Sequence, residues 1–313
     1  MPTRLSSQGY RRGASRVGRR ADTAIAMLSK RLNLRQRIVA TASVYFQRFY
    51  SKNTFASTDC FLVLTTCVYL AAKVEEAAVR IRTLCAEASR MFSEMGYTEL
   101  PNSIPVVAEM EFYLLEELEF DLIVFHPYHV LQRLCEACSF VLMPERTINI
   151  PMKRSRSPST PTATLDDDAK PRENQLLQMA WFVANDLYRT DLPLQQPPYI
   201  LAIVCLYLAL VLLPTSAEHV QAALASGATQ PPPPALLSFL AGLNVSLPLI
   251  ASVAQDMLSY YELWHQLQMP GPDGTPSMLK DHAGIFARVH RMHVARRVAL
   301  VDQAPVRPAV YTS

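Results

Sequence analysis

Apolar positions recur at helical spacing from Ile25 to Phe49, interrupted by polar or charged residues on one face, and this pattern predicts an amphipathic helix. After the polar turn Ser51-Lys-Asn-Thr54 comes Ser57-Thr-Asp59, residue types that accept backbone N–H bonds at a helix start. A second helix is therefore expected from about Asp59 to Glu76, with apolar or small residues on nearly every side through Ala72. A helix that is apolar all round belongs in the middle of a bundle. Further helices are expected at about Ile81–Met95, over 105–122 once Pro101 and Pro105 are passed, and over Tyr128–Leu142 beyond the break at Phe125-His-Pro127. Five helices in about 120 residues, joined by short loops, make an all-α unit.

The second half repeats these features. Cys-x-Tyr-Leu-Ala occurs as Cys67–Ala71 and again as Cys205–Ala209, and Tyr50 and Tyr188 lie the same 138 positions apart. A helix over Leu176–Leu187, a turn at Tyr188–Leu192 and an apolar helix from Tyr199 follow the order of the first copy, with closing helices at Leu236–Leu240 and Ile250–Leu267. The run Tyr199–Leu213 is too short to span a bilayer and is bounded by Pro198 and Pro214, so it reads as a buried core helix and not as a membrane segment. The copies part at one edge. The first runs Ala71-Ala-Lys-Val-Glu-Glu76, the second Ala209-Leu-Val-Leu-Leu-Pro214, charges in one and expected core residues in the other. A duplicated fold whose halves differ in one charged edge points to a scaffold that presents that edge to a partner.

Residues 146–173 interrupt the periodicity with Lys153-Arg-Ser-Arg156, Ser157-Pro, Thr160-Pro and Asp166-Asp-Asp168, a composition that buries little and is expected to be a disordered insertion. Its Ser-Pro and Thr-Pro steps suit a proline-directed kinase or an inert spacer equally, and its basic tetrad suits nuclear import or plain solvation. The expected organisation is a basic disordered tail over 1–23, a first helical unit over 24–145, the insertion over 146–173, a second unit over 174–269 and a basic, Pro-containing tail over 270–313.

Charge sharpens this division. The net charge of +3 hides ten Lys/Arg against one acid in residues 1–37 and six against two in 280–313, which leaves 14 basic and 24 acidic residues over 38–279. An acidic body argues against a nucleic-acid-binding surface there and leaves only the tails for polyanions. The first twenty residues, Arg- and Ser-rich without an acid, resemble a transit peptide in composition, but their glycines and weak apolar pattern favour a disordered tail. The six cysteines fall mostly in apolar helical runs, as buried thiols of a reducing compartment do; Cys135-x-x-Cys138 lacks the second pair a zinc site needs.

Candidate chemistry is correspondingly thin. There is no Gly-rich phosphate loop, no Gly-x-Ser-x-Gly and no His-Glu-x-x-His, so no catalytic residue, cofactor or metal is expected. Neighbouring carboxylates such as Glu75-Glu76 and Glu116-Glu117 do not face one point on a helix. His126/His129 and His290/His293 have ligand-like spacing but no third ligand nearby. What remains is the charged edge. Lys73 ends an otherwise apolar helix, where its stem can run over apolar surface, or it pairs with Glu76 one turn on. Glu111 sits among Met110, Leu114 and Leu115 at the edge of an apolar surface, or on a solvated face with its neighbouring glutamates.

Leu34-Arg-Gln-Arg-Ile-Val-Ala-Thr-Ala-Ser-Val-Tyr-Phe-Gln-Arg-Phe-Tyr50, Thr66-Cys-Val-Tyr-Leu-Ala-Ala-Lys-Val-Glu-Glu76, Glu111-Phe-Tyr-Leu-Leu115, His126-Pro-Tyr128 and Asn185-Asp-Leu-Tyr-Arg-Thr-Asp-Leu192 together resemble the cyclin family, in particular cyclins of the C type that serve the Mediator kinase module. The resemblance covers roughly 30–143 and 174–267. It implies two tandem five-helix cyclin boxes and a nuclear, non-catalytic subunit that activates a Mediator-associated cyclin-dependent kinase, alongside other kinase-module subunits and the RNA polymerase II machinery. It assigns kinase contact to Lys73 and Glu111, with apolar support from Val74, Phe112 and Leu115 and an electrostatic share for Glu76. The physical logic is that a kinase needs its β3 Lys–αC Glu pair assembled, and a partner gripping the αC helix supplies that geometry. The family's additional N-terminal helix has only Ser6-Ser-Gln-Gly-Tyr10 as a faint counterpart, and the apolar motif with which cell-cycle cyclins recruit Arg-x-Leu substrates is not seen. Two alternatives stay open: a core like that of general transcription factor IIB, which binds DNA through similar repeats, and another transcriptional cyclin of elongation or processing type.

Overall fold

The structure, a computed structural model, describes residues 21–55, 57–97, 103–142, 169–213, 239 and 242–269. The N-terminal tail through residue 20, most of the insertion with its Ser-Pro, Thr-Pro and basic steps, the proline run 231–234, most of the expected helix 236–240, and the C-terminal tail from 270 lie outside the described residues. All regular structure among the described residues is helical. The helices are α1 (21–31), α2 (Gln36–Lys52), α3 (Cys60–Val74), α4 (Ile81–Glu94), α5 (Ile104–Glu117), α6 (Tyr128–Leu142), α7 (Ala169–Leu187), α8 (Leu192–Gln195), α9 (Pro198–Leu212) and α10 (Leu247–Gln268).

The chain divides into two units, Met1–Val124 with Glu262–Ser313, and Phe125–Tyr261. In the first, α3 is the central post. Asp59 accepts hydrogen bonds from the Phe61 and Leu62 N–H groups and so starts the helix where the sequence places its cap. Its other carboxylate oxygen accepts the Tyr97 hydroxyl at 2.9 Å, which ties the end of α4 to the start of α3. Eleven of the fifteen residues of α3 are buried, and α2, α4 and α5 pack around it. Tyr45, Phe46, Phe49, Leu64, Phe92 and Leu114 fill the space between them.

Two expectations change together. The pattern from Ile25 to Phe49 is two helices: α1 ends as the Leu34 N–H bonds back to the Ser29 carbonyl (2.9 Å) and that of Asn33 to Lys30 (3.1 Å), with Asn33 in the left-handed region at φ 53°. The helix Tyr128–Leu142, counted with the first unit from its sequence neighbours, packs instead against α7 and α9 and opens the second unit. The part of the first unit before residue 125 still holds five helices among its described residues, now α1 to α5, and Glu111 falls on the fifth. Helix α7 begins at Ala169, within the stretch expected to be disordered.

The second unit is built around α9, ten of whose fifteen residues are buried. Tyr128 of α6 stacks on Trp181 of α7 with centroids 4.7 Å apart and donates to the Asn185 Oδ1 at 3.0 Å, while the Tyr188 hydroxyl meets His126 Nδ1 at 2.6 Å. All six cysteines are buried free thiols. Burial, with the charge of Cys138 second, pushes the Cys135 thiol up to about 12, and burial raises Cys138 to about 11, so both stay protonated near neutral pH. No described group of three or more His, Cys, Asp or Glu side chains could hold a metal ion, and no described helix is long and apolar enough to cross a membrane.

Candidate functional site

Helix α3 is apolar until its last turn, and that turn decides what the first unit presents. The Glu76 N–H bonds to the Lys73 carbonyl (3.2 Å) and the Ala77 N–H to that of Ala72 (2.9 Å), a Schellman ending that places Glu76 in the left-handed region at φ 56°. Glycine is the usual occupant of such a position because it has no Cβ to clash. Helix α4 uses it, with Gly96 at φ 87°, while α3 carries an exposed glutamate. Helix α5 ends the same way: the Phe120 N–H reaches the Leu115 carbonyl (3.1 Å) and that of Glu119 reaches Glu116 (2.9 Å), with Glu119 at φ 55° and Phe120 at φ 58°.

Helix α5 lies against α3 through Val107, Met110 and Leu114, three and four residues apart on one face. That register sets Glu111 beside the end of α3, where the Lys73 Nζ donates to its Oε1 at 2.6 Å. The carboxylate is largely covered, its side chain 12% exposed against 43% for Lys73. The Lys73 ammonium also sits 4.5 Å from the centre of the Tyr69 ring. Partial burial acts to lower the pKa of Lys73, but the hydrogen bond and charge of Glu111, with Tyr69 adding, outweigh it and hold the ammonium above the usual lysine range. Lys73 therefore pairs across helices with Glu111 and not along its own helix with Glu76.

The other expected residues divide by environment. Val74 and Leu115 are half-buried and pack on the core, so each offers only an edge. Phe112 is 73% exposed. Phe120 and Ile123, also strongly exposed, extend the apolar surface of this unit beyond what the sequence singled out. Exposure there follows from the left-handed turn after α5, which no Gly or Pro announces.

Glu75 is the residue that sequence reasoning missed. It accepts the Arg37 Nε at 2.7 Å and the Thr41 hydroxyl at 2.7 Å, so the cap of α3 is fastened to the start of α2 while Glu76 is left outside. Arg37 and Thr41 are four apart on one face of α2, a spacing that could have suggested a shared partner. At the other end of α2, Arg48 donates to the Asp121 carbonyl (2.9 Å), Lys52 to that of Glu117 (3.1 Å) and the Asn53 amide to Glu117 Oε2 (2.9 Å). The Tyr45 hydroxyl donates to the Leu122 carbonyl, and burial, with the charge of Glu75 second, raises its pKa and keeps it a neutral donor. Helix α5 is thereby clamped at its C-terminal end as well as along its face.

Replacing Glu76 by Gly separates backbone strain from surface chemistry. Relief of the left-handed strain, less the entropy glycine brings to the unfolded chain, is expected to raise unfolding stability by about 0.5–1 kcal/mol in urea titration. Partner affinity should fall in the same variant if the carboxylate is read by a partner. A loss of stability would show that the glutamate side chain, and not its backbone, matters to the fold.

The second unit lacks the corresponding charges. Val211 and Leu212 occupy the matching turn of α9 and are 55% and 44% exposed, so the apolar edge expected to lie in the core lies at its margin.

Three comparisons bear on this arrangement. Residues 19–123 match the family model "Cyclin, N-terminal domain". An "RNA polymerase II holoenzyme cyclin-like subunit" of Mycosarcoma maydis is 35% identical over 88% of this chain and 86% of that protein. A protein of that same description in Saccharomyces cerevisiae is 33% identical over 77% and 68%, and "Cyclin-C" of Drosophila melanogaster is 32% identical over 77% and 73%. Among solved structures, a chain of the CAK complex from Chaetomium thermophilum bound to ATP-gamma-S aligns over 96% of this chain and 81% of its own, with a TM-score of 0.54 and 16% identity, a likeness of fold.

Proposed function

The chain belongs to the cyclin family, and on that premise we propose that it is the regulatory subunit of a transcriptional cyclin-dependent kinase, acting in the nucleus with the RNA polymerase II holoenzyme through a Mediator-type kinase module. It performs no chemistry itself. Its part is geometric: the face shared by the end of α3 and by α5 receives the regulatory helix of the kinase and holds it where the catalytic Lys–Glu pair can form. Lys73 and Glu111 supply a charge-assisted donor and acceptor side by side, Phe112 an exposed aromatic anchor, Val74 and Leu115 the apolar floor, and Glu76 an outward carboxylate.

The observation that carries this reading is the convergence of Lys73 and Glu111, 38 residues apart, into one ion pair beside an exposed phenylalanine. Affinity purification of the tagged full-length chain is expected to recover a cyclin-dependent kinase whose peptide phosphorylation requires the chain. Recovery of duplex DNA with no kinase would instead favour a transcription-factor-IIB-like role, and the acidic body of 24 acids against 14 bases stands against that outcome.

A further inference from the structure

Helix α5 has two opposite faces of different character. Val107, Met110 and Leu114 are buried toward α3, while Glu109, Phe112 and Glu116, three and four residues apart, form a stripe on the far side. All three of these are exposed, Phe112 the largest apolar side chain among them. Glu111 is answered by Lys73 and Glu119 by Lys52, but Glu109 and Glu116 have no ion-pair partner among the described residues. An uncovered aromatic ring thus stands between two uncompensated carboxylates.

The same chain carries a segment of complementary character. Residues 282–301, in the C-terminal tail outside the described residues, contain four arginines, three histidines and no acid. Ile285, Val289 and Met292 recur there at helical spacing, with Arg288 and Arg291 beside them. The N-terminal tail is as basic, but its glycines and weak apolar pattern offer nothing to cover a ring. Attachment favours the C-terminal segment as well. The last described turns of α10, from Glu262, count with the first unit. Sixteen residues lead from Met269 to Ile285 and reach up to about 55 Å, whereas a body of about 100 residues has a radius of gyration of about 13 Å.

We propose that the outer stripe of α5 docks residues 282–301 of its own chain as an amphipathic helix. Ile285, Val289 and Met292 cover the Phe112 ring, and Arg288 and Arg291 meet the carboxylates of Glu109 and Glu116 by charge-assisted hydrogen bonds. A segment this short is marginal as a helix by itself, so it orders on docking. Phe112 is also the anchor assigned to the kinase, so the docked segment and the kinase exclude each other. That consequence, unlike the docking, rests on the kinase assignment. With an effective concentration of about 1 mM, a segment of about 100 µM intrinsic affinity occupies the stripe in about ten molecules of eleven and weakens kinase binding about 10-fold.

The probe is the full-length chain with Phe286 replaced by the photoreactive p-benzoylphenylalanine, illuminated at low protein concentration and mapped by mass spectrometry. Intramolecular crosslinks are expected within α5 and its C-terminal turn, between residues 105 and 120. Arg288→Glu/Arg291→Glu should reduce them at least about 10-fold, as should Glu109→Lys/Glu116→Lys, and the two pairs combined should restore them. The arginine pair lies outside the packed body, so its result stands even where the glutamate pair fails to fold. Crosslinks to another surface, to the N-terminal tail or to a second copy would overturn the proposal, as would undiminished crosslinking in the Arg288→Glu/Arg291→Glu variant. That variant, with Phe286 restored, is expected to bind kinase about 10-fold more tightly than wild type. Crosslinks to α5 with unchanged kinase affinity would leave the docking established and count against the kinase assignment of this face, so the two readings fail separately.

Discussion

Exchanging the charges at the α3–α5 junction, Lys73→Glu together with Glu111→Lys, is expected to abolish kinase copurification while leaving unfolding stability within about 1 kcal/mol of wild type. The two side chains satisfy each other at 2.6 Å, and exchange preserves their mutual attraction while inverting the polarity offered outward. Single changes should behave differently. Lys73→Ala leaves a carboxylate that is only 12% exposed without its ion-pair partner, at a cost of about 1–3 kcal/mol, and Glu111→Lys sets two ammonium groups together. Loss of both charge-assisted contacts is expected to lower kinase affinity at least about 100-fold. A folded double variant that still carried kinase through purification would refute the interface assignment, because nothing but the direction of the charges has changed.

Leu64→Ala is expected to do the reverse. Leu64 is fully buried in the middle of α3, and its truncation should cost about 3–5 kcal/mol, read as a lower urea midpoint at unchanged slope. A loss of that size can be most of a domain's stability, so soluble yield should fall. Kinase affinity measured per folded molecule should stay within about twofold, since Leu64 lies far along α3 from Lys73. A fall in affinity matching the fall in stability would mean that the interface and the core are one cooperative element.

Much of this was legible in the sequence. The Asp59 cap, the burial of α3 on all sides and the prominence of Lys73 and Glu111 follow from local chemistry: a residue type that accepts N–H bonds, a run without a polar face, and charges at the margin of apolar segments. The break at Asn33 was not, because Leu32-Asn-Leu34 contains neither Gly nor Pro and the apolar spacing continues across the turn. Nor was the allegiance of α6. Phe125-His-Pro127 announces a break, but no local signal says on which side of it a helix will find its neighbours. The roles of Glu75 and Glu76 were indistinguishable in one dimension. Left-handed backbone at the second turns it outward, while Arg37 and Thr41, more than thirty residues earlier, hold the first.

Because α3 is enclosed along its length, it can address the outside world only at its tip. Substitutions there answer to a partner more than those along the enclosed length, so the last turn can be rewritten in evolution like a label at the end of a fixed rod. Helix α9 is enclosed in the same way and ends in Val211 and Leu212 where α3 ends in Lys73 and Val74. A duplicated architecture of this kind diversifies cheaply. Each copy keeps the costly part unchanged and acquires a new correspondent through a handful of terminal residues, which makes the two tips the natural places to graft one cyclin's preferences onto another.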